Sequence, residues 1–105
     1  MTLPEPPILE FRNPVFLPGR NTSVRRGGRW HGIREARLRL ADGHLSPPRP
    51  LRTELKPFAA LTGADLQYEH DPGCRSVAGL LAELQRLYPG FSAGEDVTLV
   101  HFTLE

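Results

Sequence analysis

Seven arginines, Arg20, Arg25, Arg26, Arg29, Arg34, Arg37 and Arg39, fall within twenty residues, with Trp30 and His31 among them. Guanidinium forks match phosphate oxygens, and planar rings stack on bases, so this stretch provides for both halves of a nucleotide. The competing reading makes Arg37 and Arg39 the wet face of a strand and Trp30 a core or rim anchor. Arg25 and Arg26 are the pair assigned to a ligand; Arg20 and Trp30 stand equally well in either reading. Gly27-Gly28 lacks the strand-to-helix context of a phosphate loop and reads as a hairpin or bulge.

A second group of reactive side chains lies downstream. Glu69-His70-Asp71 has the composition of an acid, a base and an orienter, but sequence neighbours rarely converge on one point, so it is not read as a triad. Cys74 follows Pro-Gly beside Arg75 and near Ser76 at a helix start, which would favour a thiolate; a structural thiol is the competing reading. His31, His44, His70 and His101 lack ligand spacing, so no metal and no cofactor are expected, and His101 reads as a hydrogen-bonded structural histidine.

The elements that must position these groups are short. Gly and Pro together make up 21 of 105 residues, which predicts brief elements broken by rigid turns and a mixed α and β fold. At this length one domain with one core is expected, over 8–105, preceded by a flexible Pro-rich tip at 1–7. Ile8 to Phe16 reads as a short strand and a bent segment, and Arg20 to Arg29 as an exposed strand or loop. Ala36, Leu38 and Leu40 alternate with Arg37 and Arg39, and Leu51, Thr53 and Leu55 alternate with charged residues, giving two half-buried strands. Thr62 and Asp65 form a capping-box variant opening a short helix that stops near His70. From a Ser76 cap, Val77, Leu80, Leu81, Leu84, Leu87 and Tyr88 recur at helical spacing. Val97 to Leu104 reads as a strand buried on both faces.

The net charge of +1 hides an asymmetry. Residues 1–60 carry eleven basic against five acidic side chains, or +6, and residues 61–105 carry two against seven, or −5. Twelve of the thirteen basic residues are arginine, which suits phosphate binding and suits equally a GC-rich coding sequence. One cysteine closes no internal disulfide, and no apolar run reaches spanning length, so the expectation is a cytoplasmic chain without signal or membrane anchor, monomeric by default.

Leu17-Pro18-Gly19-Arg20-Asn21-Thr22 through Arg26, then Phe58 with Leu61-Thr62, then Leu84 to Gly90 and Val97 to Phe102, resemble an ASCH domain, a branch of the PUA-like superfamily. The resemblance covers nearly the whole chain. It implies an α+β fold, a mixed or antiparallel β-barrel of five to six strands flanked by about two helices, and a cleft that handles RNA or modified nucleobases. Members of about this length include small bacterial amidohydrolases acting on N4-acetylcytidine. In the family signature a Lys and an acidic or hydroxyl residue stand where this chain has Asn21 and Val24, while the turn glycine, Gly19, and the closing arginine, Arg26, remain. The family's Glu corresponds to Glu69. The resemblance therefore implies binding of RNA or a nucleoside by Arg20, Asn21, Thr22, Arg25, Arg26, Trp30 and Glu69. Hydrolysis is the alternative, on N4-acylated cytidine or RNA, with Glu69 as base and Asn21 polarising a carbonyl. A protein-interaction domain is the third reading.

Overall fold

A strand apolar on both faces needs a cover on each side, and the computed structural model, which describes residues 5–104, supplies two. The last strand, β6 (Asp96–Leu104), is buried continuously from Val97 to Phe102. It is the middle of an antiparallel sheet, between β2 (Gly19–Arg26) and β5 (Arg52–Pro57). Val97 and Leu99 face a cluster with Phe58, Leu61, Leu66, Leu80, Leu84 and Phe91. Val100 and Phe102, on the opposite face, pack with Leu9, Ala36 and Leu38 of a second sheet, β1 (Ile8–Leu9), β3 (Glu35–Leu38) and β4 (Arg49–Pro50). The result is helix on sheet on sheet, with β6 in the middle layer.

The fold is α+β, but the expected barrel does not form: among the described residues both sheets are open and three-stranded. Pro47, Pro48 and Pro50 remove backbone donors where the second sheet would have to be stitched to the first, and β1 and β4 are only two residues long. The chain crosses between sheets at Leu51 without closing the far edge. The flexible tip falls partly outside the described residues, at 1–4; within them, Pro7 O already accepts from Arg37 N at 3.0 Å.

Among the described residues one α-helix is present where about two were expected. α1 (Val77–Leu87) starts at the predicted cap, Ser76, whose hydroxyl accepts from Gly79 N. The capping box at Thr62 and Asp65 also forms, but it opens a single 3₁₀ turn, Gly63–Leu66. The chain beyond it is drawn away by β2: Thr22 N donates to Tyr68 O at 2.7 Å and His70 N to Thr22 O at 2.9 Å. Residues 68–70 thus lie along the free edge of β2, with Thr22 and Glu69 bridged in parallel.

α1 approaches the 3₁₀ turn Pro72–Cys74 so closely that a Cβ on Gly79 would lie 2.2 Å from Gly73 O and 2.9 Å from Ser76 Oγ. Alanine inside a helix is ordinarily worth up to ~1 kcal/mol over glycine. Here a collision with a backbone carbonyl outweighs that gain. Gly79→Ala should lower the unfolding free energy by about 1–2 kcal/mol in urea denaturation; a stabilised variant would contradict the close approach.

Candidate functional site

The free edge of β2 builds the site. In an antiparallel ladder alternate residues turn their N–H and C=O outward. Thr22 gives its outward groups to residues 68–70. Val24 is the next outward residue, and no backbone continues alongside it. Its N–H donates instead to Glu69 Oε2 at 3.2 Å. Glu69 Oε1 accepts from Asp71 N at 3.4 Å and lies 3.3 Å from His70 Nε2. Arg75 Nε holds the backbone here, donating to Glu69 O at 2.8 Å. The carboxyl is 3% exposed.

Burial pushes the Glu69 carboxyl up to about 8, against the lowering effect of its hydrogen bonds and of the nearby Arg25 guanidinium. Burial also pushes His70 below its ordinary value. His70 Nδ1 faces Val15 O at 2.9 Å, and a carbonyl only accepts, so the proton sits on Nδ1 and Nε2 presents a lone pair to Glu69. A neutral carboxyl donating to a neutral imidazole satisfies both groups without burying a charge. Phe11 and Phe16 fix the His70 ring at centroid distances of 4.9 and 5.5 Å.

Glu69 and His70 line a hollow of about 110 Å³ between the β2 edge, α1 and the chain near Phe11. Ser23, Arg25, Arg26, Cys74 and Tyr88 also line it. Arg25 donates to Ser23 Oγ and Glu10 O and stacks on Phe11 at 5.2 Å; burial holds its pKa below the ordinary value. Arg26 is more exposed, donates to Glu95 Oε1 at 2.8 Å, and lies over the Tyr88 ring at 5.0 Å. Cys74 is a buried thiol, and desolvation with Glu69, Asp71 and Glu83 nearby pushes it up to about 12. The thiolate favoured by its sequence position is therefore not the form present at neutral pH. Among the described residues no group of three or more His, Cys, Asp or Glu side chains is arranged to hold a metal ion.

Of the sequence-predicted residues, Arg25, Arg26 and Glu69 come together here. Asn21 does not line the hollow: it is wholly buried, its Oδ1 accepts from Leu17 N at 2.8 Å, and its Nδ2 donates to Leu17 O and Gly19 O at 2.9 and 3.1 Å. It locks the turn at Gly19, whose φ of 76° requires glycine. With its amide fully engaged, it does not polarise a substrate carbonyl. Thr22 supports the site through its backbone while its hydroxyl pairs with His101 Nδ1 at 2.9 Å. Arg20 lies over Tyr68, 4.4 Å from the ring centroid, away from this hollow. Trp30 packs on the second core, as the competing reading had it. His70, Phe11 and Tyr88 were missed. The adjacency of Glu69 and His70 was the available signal, and the bend before Pro72 is what lets two neighbours face one another.

No protein-family model, curated protein or solved structure matches the chain. Among the described residues no helix is long and apolar enough to cross a membrane.

Proposed function

We propose that this chain is a cytoplasmic ASCH-like domain of the PUA-like class that binds a nucleobase, as a nucleoside or carried in RNA, in the hollow beside Glu69. The observation that carries the reading is the buried Glu69 carboxyl set against the Arg25 guanidinium in one small hollow. The carboxyl accepts from an exocyclic amino group and the guanidinium donates to a ring carbonyl, so the pair reads a ring bearing both. Phe11 and Tyr88 add aromatic surface to the lining. At about 110 Å³ the hollow is smaller than the cavity of about 150 Å³ that encloses benzene, so it suits the reading edge of one six-membered ring, a pyrimidine of the cytosine type with the rest in solvent, better than a fused bicycle.

Calorimetric titration with cytidine, uridine and short RNAs tests this. Cytidine should bind more tightly than uridine, and Arg25→Met, which keeps the packing on Phe11, should weaken cytidine binding about tenfold. Arg26→Ala should cost less, because Arg26 is more exposed than Arg25 and its charge is already paired with the Glu95 carboxylate. Absence of saturable binding at millimolar nucleoside would overturn the reading.

A second reading rests on the Glu69–His70 contact. A carboxyl that titrates near 8 and shares a proton with an imidazole has the properties of a general acid or base at neutral pH. The reaction would be hydrolysis of N4-acylated cytidine or of RNA. It predicts acetate release from N4-acetylcytidine, or cleavage of labelled RNA, that disappears in Glu69→Gln.

A further inference from the structure

A second hollow lies at the end of the central sheet, where β6 runs past the start of β5. Cα partners across an antiparallel pair share a face, and the register places Thr22, His101 and Arg52 in one row over β2, β6 and β5. Arg20 and Thr103 form the next row. Arg20, Arg52, His101 and Thr103 line a hollow of about 360 Å³ with Leu51 and Phe102. His101 is 9% exposed, and its Nε2 is buried without a hydrogen-bond partner. A buried nitrogen left in this state costs about 1–3 kcal/mol.

The neighbouring charges indicate what would satisfy it. Glu54 Oε1 lies 3.7 Å from Nε2, beyond hydrogen-bond distance, and is held instead by Arg52 Nη1 at 2.6 Å. A carboxylate facing Nε2 draws the ring proton there, so the Thr22 hydroxyl donates to Nδ1 and Nε2–H points toward negative charge. Arg20 makes no ion pair among the described residues; its guanidinium rests on Tyr68. Two arginines and the histidine thus line one concavity, and the neighbouring Glu54 carboxylate, outside that lining, makes a hydrogen bond to one of the three.

We propose that this hollow is an oxyanion site of the phosphate class, in which the incoming anion displaces Glu54 from Arg52 and accepts hydrogen bonds from Arg52, Arg20 and His101 Nε2. Glu54 has the freedom to leave, since its side chain is 39% exposed. A tetrahedral anion aims a separate oxygen at each of three donors that converge from different directions, whereas the acceptor sites of a carboxylate lie in one plane. Arg20 and Arg25 are five residues apart on an extended strand, about 17 Å, so this is a site separate from the Glu69 hollow and stands whether or not that hollow binds a base.

The test is an NMR titration of the intact protein with inorganic phosphate at constant pH and ionic strength, following the His101 ring and the Arg20 and Arg52 Nε–H signals. Saturable shifts at all three are expected. Arg20→Gln and Arg52→Gln should each weaken binding about fivefold or more. Glu54→Gln should strengthen it by removing the competing carboxylate. All three replacements lie at exposed or half-buried positions, and unchanged melting temperatures serve as the folding control. An acetate titration is expected to give weaker binding, and equal affinity for acetate would overturn assignment to the phosphate class. Linear, non-saturating shifts, or phosphate binding indifferent to Arg20→Gln and Arg52→Gln, would overturn the site itself. So would Glu54→Gln leaving phosphate affinity unchanged, because the displaced carboxylate is the core of the proposal.

Discussion

At pH 9 the Glu69→Gln variant should be more stable than the native chain by about 4–5 kcal/mol, and the advantage should vanish toward pH 4.5. The sign follows from where the proton binds. Glu69 titrates near 8 in the folded protein against an ordinary 4.5, so the folded state holds the proton more tightly than the unfolded chain does. Its stabilising contribution is complete below 4.5 and is lost as pH rises through 8. The histidines run the other way: burial lowers His70 and His101, which removes stability as pH falls below 6.5. Cys74, pushed from 9 to about 12, enters only above pH 9. The variant keeps both histidines, so between pH 6.5 and 8 the difference in slope between the two proteins belongs to Glu69 and should approach one proton, for a native loss relative to the variant of about 2 kcal/mol or about 10 °C in melting temperature. Glutamine removes this slope and keeps two of the three contacts, its carbonyl accepting from Val24 N and its amide donating to His70 Nε2, while the long 3.4 Å bond from Asp71 N is given up. Thermal melts across that window check it; a native profile as flat as the variant's would mean that Glu69 titrates as an ordinary carboxylate.

Asn21→Ala should cost about 3 kcal/mol of folding stability while leaving nucleoside affinity unchanged at temperatures well below the melting point. The side chain makes three hydrogen bonds, to Leu17 N, Leu17 O and Gly19 O, from a position with no exposure. Each buried polar group left without a partner costs about 1–3 kcal/mol. Urea denaturation reads the loss, and calorimetry on the folded variant reads the affinity. A variant of normal stability with weakened binding would return Asn21 to the ligand and displace the account of its turn-locking role.

What the sequence made legible was decided by periodicity. The α1 stripe from Val77 to Leu87 with its Ser76 cap, the alternation of Ala36 and Leu38, and the doubly apolar run of β6 all translate directly into the observed elements. β2 was half legible. Asn21-Thr22-Ser23 reads as surface, yet all three are buried, with their side chains engaged by Leu17, His101 and Arg25. A polar residue whose partner lies 79 positions away gives no local sign of burial. In β5 Leu55 is 42% exposed, while Arg52 and Glu54 share the His101 face, so apolar alternation did not identify the inward side. Closure into a barrel and a second helix are long-range outcomes; three prolines prevented the first, and the edge of β2 prevented the second.

The same locality limited the site. Glu69 and Arg25 were identified as chemistry, but their meeting depends on residues 68–70 adding to the edge of β2. Trp30 and Asn21 have the right chemistry for a ligand and are held elsewhere by packing and by a turn.

The most direct test of the Glu69 hollow as a base-reading site is a carbon-13 NMR titration of the Glu69 side-chain carboxyl, with and without saturating cytidine. The account predicts a midpoint near 8 in the free protein, displaced by about half a unit or more when the nucleoside is bound. A midpoint near 4.5, or one that cytidine leaves unmoved, would contradict it.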